Sequence, residues 1–121
     1  MRDITAANDG RVMAMEAVDS CVHIFSEDGD YLDKFKLQGG YNFPRIAFHQ
    51  LSEHVVIAGN IDARVGVVEI FTKDGEFVHR TQIYEERILY IMGLTVTSGG
   101  QIAVFLLDID EKWKVLVIQN I

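Results

Sequence analysis

Residues 21–35 read CVHIFSEDGDYLDKF and residues 67–81 read VVEIFTKDGEFVHRT, and the two stretches align without a gap. Phe25 falls on Phe71, Asp28-Gly29 on Asp74-Gly75 and Tyr31 on Phe77, all at an offset of 46 residues. Within each stretch apolar and polar residues alternate, as on a strand with one buried face. Asp-Gly between two such runs supplies the positive φ that a tight hairpin turn needs. Each stretch therefore predicts a β-hairpin, and the pair predicts a repeat.

Each of these hairpins follows another. Residues 4–7, the turn Asn8-Asp9-Gly10 and residues 11–15 read as strand, turn, strand. Residues 46–49, a turn over 50–53 and residues 54–58 repeat that order before the second unit. A third copy runs through residues 94–97, Ser98-Gly99-Gly100 and residues 101–105, with residues 114–118 in the place of the third strand. The unit is thus four short strands in about 42 to 48 residues, the sequence form of a propeller blade. The expected fold is all-β, built of four-stranded antiparallel blades: blade 1 over about residues 4–36, blade 2 over about 45–82, and blade 3 over about 92–119 without its last strand. Residues 85–90 lie between blades 2 and 3 and are expected to form a loop.

With this pattern the chain resembles the NHL-repeat family of β-propellers, and most nearly the C-terminal NHL domains of tripartite-motif (TRIM) proteins and of the Brat kind. The residues that carry the likeness are Ile-Thr-Ala-Ala with Asp-Gly-Arg-Val, and Val-x-Ile-Phe-x-x-Asp-Gly-x-Tyr-Leu, over residues 4–32, repeated less closely over 46–78. Where the family has Asn-His-Leu before the third strand, this chain has Asp19-Ser20-Cys21 and Val65-Gly66-Val67. The resemblance implies a non-catalytic platform that binds a protein or a structured RNA on one face, and an origin in a TRIM-like ubiquitin ligase. The zinc modules that accompany such a platform in those proteins need several cysteines, and Cys21 stands alone.

Composition narrows the partners. The 121 residues are 49 % apolar and 24 % charged, an ordinary balance for a packed domain. Eleven Lys and Arg against eighteen Asp and Glu leave a net charge of −7, which opposes a nucleic-acid reading that rests on phosphate contacts. A single cysteine fits a reducing compartment. The first ten residues lack the apolar run of a signal peptide, and the longest apolar stretch is far short of the ~20 residues that cross a bilayer. The expectation is a cytoplasmic protein without cofactor.

The four histidines, His23, His49, His54 and His79, lack metal-ligand spacing and are expected at solvent-facing or edge positions. Acidic groups at Glu27-Asp28, Glu85-Glu86 and Asp108 to Glu111 lack the glycine and spacing of a calcium loop and read as solvated loop charge. Cys21 has His23 on its strand face, and without a base aimed at it carries no nucleophile role. No catalytic or metal-binding residue is assigned, and a metal-dependent propeller lyase or hydrolase is the only enzymatic alternative. The loops between strands carry the side chains that dominate binding hot spots, and Arg45, Arg64, Arg87, Tyr41, Tyr84 and Trp113 are the candidate binding residues. A protein partner is the first reading and RNA of the Brat kind the second.

The repeat of about 46 residues fits about 2.6 times into 121, whereas closed propellers have four to eight blades. The chain is therefore expected to be part of a longer propeller or to pair with a second copy, and otherwise to be poorly soluble.

Overall fold

A computed structural model of the chain describes residues 2–16, 19–38, 41–62 and 64–118; the side chains of residues 2, 43, 62, 64, 84–87 and 89 lie outside the description. Ten strands follow one another: β1 Arg2–Ala6, β2 Val12–Glu16, β3 Cys21–Phe25, β4 Tyr31–Lys36, β5 Asn42–His49, β6 His54–Asp62, β7 Arg64–Thr72, β8 Phe77–Val96, β9 Ile102–Asp108 and β10 Trp113–Ile118. All pairings are antiparallel between sequence neighbours, so the chain is a meander throughout. No helix among the described residues is long and apolar enough to cross a membrane.

The repeat read from the sequence is a structural repeat. Ser26 and Thr72 open the two matched turns, each accepting the backbone N–H of the glycine three residues on, Gly29 or Gly75, at 3.0 Å through its carbonyl. Their hydroxyl oxygens accept a second N–H, from Asp30 at 3.0 Å and from Glu76 at 3.1 Å. Both glycines have φ of 92°, the left-handed region that L side chains avoid.

Residues 77–96 depart from expectation. The loop expected over residues 85–90 is the middle of β8, a strand of 20 residues. Its first part pairs with β7 from Phe77↔Phe71 to Ile83↔Gly66 and, past a register shift, at Ile88↔Arg64, and its second part pairs with β9 from Ile88↔Asp108 to Val96↔Ile102. The physical reason is that no glycine, proline or Asn/Asp turn residue interrupts the run before Gly93, while Ile88 and Ile91 are both buried in the core. Register shifts at Ile88/Tyr90 and Ile91/Gly93 bend the strand as it changes partner. Hydrogen bonding therefore joins β5 to β10 into one six-stranded sheet beside the four-stranded sheet of β1 to β4. Bent at β8, the larger sheet forms two leaves, and the chain is an incomplete propeller-like array of three blades: β1–β4, β5 to the first half of β8, and the second half of β8 to β10.

Each blade has a back face toward the preceding blade and a front face toward the next. The front face of blade 1 (Met13, Met15, Val22, Ile24) meets the back face of blade 2 (Phe48, Val55, Ile57, Val67, Phe71) in one core. The front face of blade 2 (Val56, Ala58, Val68, Ile70) meets the back face of blade 3 (Ile102, Val104, Leu106) in a second. Buried on both sides, blade 2 has no polar residue in Val55-Val56-Ile57-Ala58, all four fully buried.

Candidate functional site

A meander places alternate connections at opposite ends of the blades. One rim carries the turns over residues 7–11, 26–30, 50–53, 73–76 and 97–101; the other carries the ends of β2, β4, β6 and β9 and the starts of β3, β5, β7 and β10. The first rim is tied together by polar contacts. Asn8 donates to Glu53 at 2.8 Å, Lys73 lies 3.3 Å from Glu53 and 3.7 Å from Asp9, and Arg11 lies 3.0 Å from Asp9. His49 contacts the Gly100 carbonyl at 2.8 Å, linking blade 2 to blade 3. Of the solvent-facing or edge positions expected of the histidines, His49 takes an edge one, on β5, yet it is buried because its ring sits between these two turns and also takes Ser52 at 2.7 Å.

The six candidate binding residues lie on or beside the second rim or in the bend of β8, and their environments differ. Tyr41 does not present a binding surface. Its ring is buried against Gly59, where a Cβ would stand 2.8 Å from Tyr41 Cδ1, and its hydroxyl donates to Glu69 Oε1. Glu69 is fully buried on the back face of blade 2, and Arg80 closes on its Oε2 with Nε at 3.0 Å and Nη2 at 2.8 Å. Burial first, and then the Glu69 carboxylate, hold the Tyr41 hydroxyl protonated far above the usual phenol range. This triad clamps blade 1's exit onto blade 2. Neither Glu69 nor Arg80 stood out in the sequence; the available signal was an opposite-charge pair directly across two strands.

Arg45 lies on β5 opposite Ala58, on the face shared with Ala47 and His49. It is half-buried, and its Nε is out of solvent with no hydrogen-bond partner among the described residues. Arg64 opens β7, and Tyr84 and Arg87 lie within β8, so none of the three is in a loop; their side chains lie outside the described residues. Trp113 is also in a strand. It opens β10 on the front face of blade 3, 56 % exposed, and stacks on Phe105 with centroids 4.9 Å apart and planes 11° apart. The stacked pair is held by the register, in which Trp113 faces Leu107 and Phe105 faces Val115.

The rim's acidic residues are partly structural. Asp108 is buried, not a solvated loop charge: its Oδ1 accepts the backbone N–H of Asp110 and of Lys112, both at 2.9 Å, closing the β9–β10 turn. Those N–H groups, with Lys114 at 3.6 Å, hold its carboxyl below the usual range. On the back face of blade 1, His23 donates through Nε2 to Asp19 at 2.7 Å, which leaves Nδ1 to accept from the Tyr31 hydroxyl at 3.0 Å. The Asp19 carboxyl is lowered chiefly by that bond. With both ring nitrogens engaged, His23 has none to turn to Cys21. No group of three His, Cys, Asp or Glu among the described residues is arranged to hold a metal ion.

No protein-family model matches the sequence, and no curated protein matches it significantly. Among solved structures, one shares the fold at a TM-score above 0.5. A protein of unknown function from Bacteroides caccae superposes over 96 % of this chain with a TM-score of 0.54 at 10 % identity. A hypothetical protein from Leishmania major superposes over 98 % with a TM-score of 0.49 at 15 % identity. The chain spans 45 % and 44 % of the lengths of these two structures.

Proposed function

We propose that the chain is a non-enzymatic interaction module of NHL-repeat type, from a TRIM-like setting, that binds an acidic segment of a protein partner beside the rim of strand starts. The observation that carries this reading is Arg45. A half-buried guanidinium whose Nε has lost water without gaining an acceptor is costly, and a carboxylate supplied from outside would relieve that cost through the guanidinium fork. Protein is favoured over RNA because RNA affinity rests on many phosphate contacts, which a chain of net charge −7 opposes, whereas Arg45 needs a single carboxylate.

The test is fluorescence anisotropy with a labelled Asp/Glu-rich peptide and, in parallel, poly(U) RNA, across a salt series. The peptide is expected to bind wild type, and Arg45→Ala to weaken it about tenfold, as one charge-assisted hydrogen-bonded contact requires. Peptide affinity unchanged by Arg45→Ala would defeat the proposal. Binding of poly(U) that falls steeply with salt would transfer the module to the RNA class.

A further inference from the structure

Two apolar faces at the ends of the array are left uncovered by the described residues. On the front face of blade 3, Phe105 is 42 % exposed, and Trp113, Val115 and Val117 are exposed around it. On the back face of blade 1, Ile4 of β1 is 64 % exposed, and Tyr31 is exposed at the opposite edge, on β4. There Ile4, Ala14, Glu16, His23 and Phe25 line an open hollow of about 450 Å³.

The repeat register says what each face is made to meet. In blade 1, Met15 pairs with Val22 and Met13 with Ile24, and these four residues form the front face that blade 2 covers. In blade 3 the same positions are Phe105 paired with Val115 and Ala103 paired with Val117. Blade 3's uncovered surface is thus the counterpart of the surface blade 1 gives to blade 2. The receiving side repeats as well. Phe71, fully buried on the back face of blade 2, packs on Phe35 of blade 1 at 5.2 Å and edge-on to Phe77 at 5.8 Å. Blade 1 has the same edge-on pair in Phe25 and Tyr31, 5.3 Å apart, with no blade in front of it. Ile46 and Phe48 of blade 2 correspond to Ile4 and Ala6 of blade 1, since each pair faces the matching positions of the second strand.

From this we infer that two copies of the chain pair head to tail, the front face of blade 3 in one seating on the back face of blade 1 in the other, with both contacts made at once to close a six-bladed ring. The proposal is independent of Arg45, which lies between blades 2 and 3. Two unlike faces on one chain make a heterologous contact, which closes into a ring when the rotation per copy permits. The stacked Trp113 and Phe105 are the knob, and the hollow between Ile4, Ala14 and Phe25 is the seat. Strand spacing and rise give a three-stranded, six-residue face a footprint of about 280 Å², so two contacts counted on both partners cover about 1,100 Å², above the roughly 1,000 Å² that a specific interface needs.

Sedimentation velocity on the 121-residue chain tests the inference, with Phe105→Glu and Ile4→Glu as variants on opposite faces. Both side chains are exposed, so each fold is expected to survive, checked by circular dichroism. Wild type is expected to sediment at twice 13.7 kDa, and each variant to raise the dissociation constant about tenfold or more, as loss of a central apolar anchor does. An isologous pair through blade 3 alone would leave Ile4→Glu dimeric, which overturns the head-to-tail arrangement. A wild-type monomer at 100 µM, or open-ended polymers, overturns the ring. Cys21 provides an independent readout because it lies half-buried on the back face of blade 1. Its alkylation is expected to be slow in concentrated wild type, to speed up on dilution, and to be fast at all concentrations in Phe105→Glu; alkylation independent of concentration in wild type counts against the pairing.

Discussion

Phe25 and Phe71 occupy one position of one repeat, 46 residues apart, in hairpins with the same turn, the same hydroxyl cap and the same edge-on aromatic partner. Phe71 is fully buried and Phe25 is not. Local sequence makes the hairpin in both cases, and the neighbouring blade alone decides whether its back face becomes core. The contrast extends along the strand. Where blade 2 has Glu69 opposite Arg80, blade 1 has His23 opposite Lys34. The charged pair under cover is locked by Tyr41, whereas the uncovered histidine reaches sideways to Asp19 and Tyr31.

The largest effect should come from the aromatic position itself. Phe71→Ala is expected to cost about 3–5 kcal/mol in urea unfolding, the usual loss for a buried phenylalanine. Phe25→Ala, measured at low protein concentration, should cost roughly 1–2 kcal/mol because its ring is only partly buried. Equal costs in dilute solution would mean that the back face of blade 1 is covered within a single chain.

The turn glycines sharpen the same comparison with identical backbones. Gly29 and Gly75 share φ of 92°, but a Cβ on Gly29 meets nothing within 4 Å, while one on Gly75 would stand 2.5 Å from Phe35 of blade 1. Gly29→Ala should cost only the left-handed strain, about 1 kcal/mol. Gly75→Ala adds displacement of Phe35 from the shared core, for a total of about 2–3 kcal/mol. Thermal melts of the two variants give the difference directly.

Next in size is the hydroxyl of Tyr41. Tyr41→Phe leaves a buried Glu69 oxygen without its donor and is expected to cost about 1–2 kcal/mol. Tyr31→Phe, which removes a hydroxyl from His23 on the uncovered face, should stay within about 0.5 kcal/mol.

The hairpins were legible because alternation and Asp-Gly act locally, and the 46-residue offset carried the register into the three-dimensional repeat. What the alternation could not convey was burial that depends on a neighbouring blade. A glutamate at an alternating strand position reads as solvent-facing, and Glu69 is buried only because blade 1, Tyr41 and Arg80 enclose it. Tyr41 and Trp113 show the converse. An aromatic next to a strand boundary signals only that it will contact something; the packing sends Tyr41 under Gly59 and leaves Trp113 outside. Residues 85–90 failed for a third reason: repeat spacing placed a loop there, but the run lacks a residue that stops a strand, so β8 continues from one blade into the next.

The smallest expected effect is electrostatic and separates two carboxylates by the same criterion of cover. Asp19 and Asp108 both titrate below the ordinary value of 3.8 in the folded chain, Asp19 through His23 and Asp108 through the backbone N–H groups of Lys112 and Asp110. A carboxyl lowered by folding contributes stability that is fully present above its unfolded value, and that contribution disappears as pH falls through the folded value. Asp19→Asn and Asp108→Asn should therefore each lose stability at neutral pH and converge on wild type in acid. Salt distinguishes them. The Asp19 side chain is 46 % exposed and its contact with His23 is open to counterions, whereas the side chain of Asp108 is 3 % exposed and held mainly by fixed backbone dipoles. Raising the ionic strength to 1 M should shrink the Asp19→Asn deficit and leave most of the Asp108→Asn deficit. Equal salt sensitivity would mean that Asp108 acts through Lys114 and not through the turn it closes.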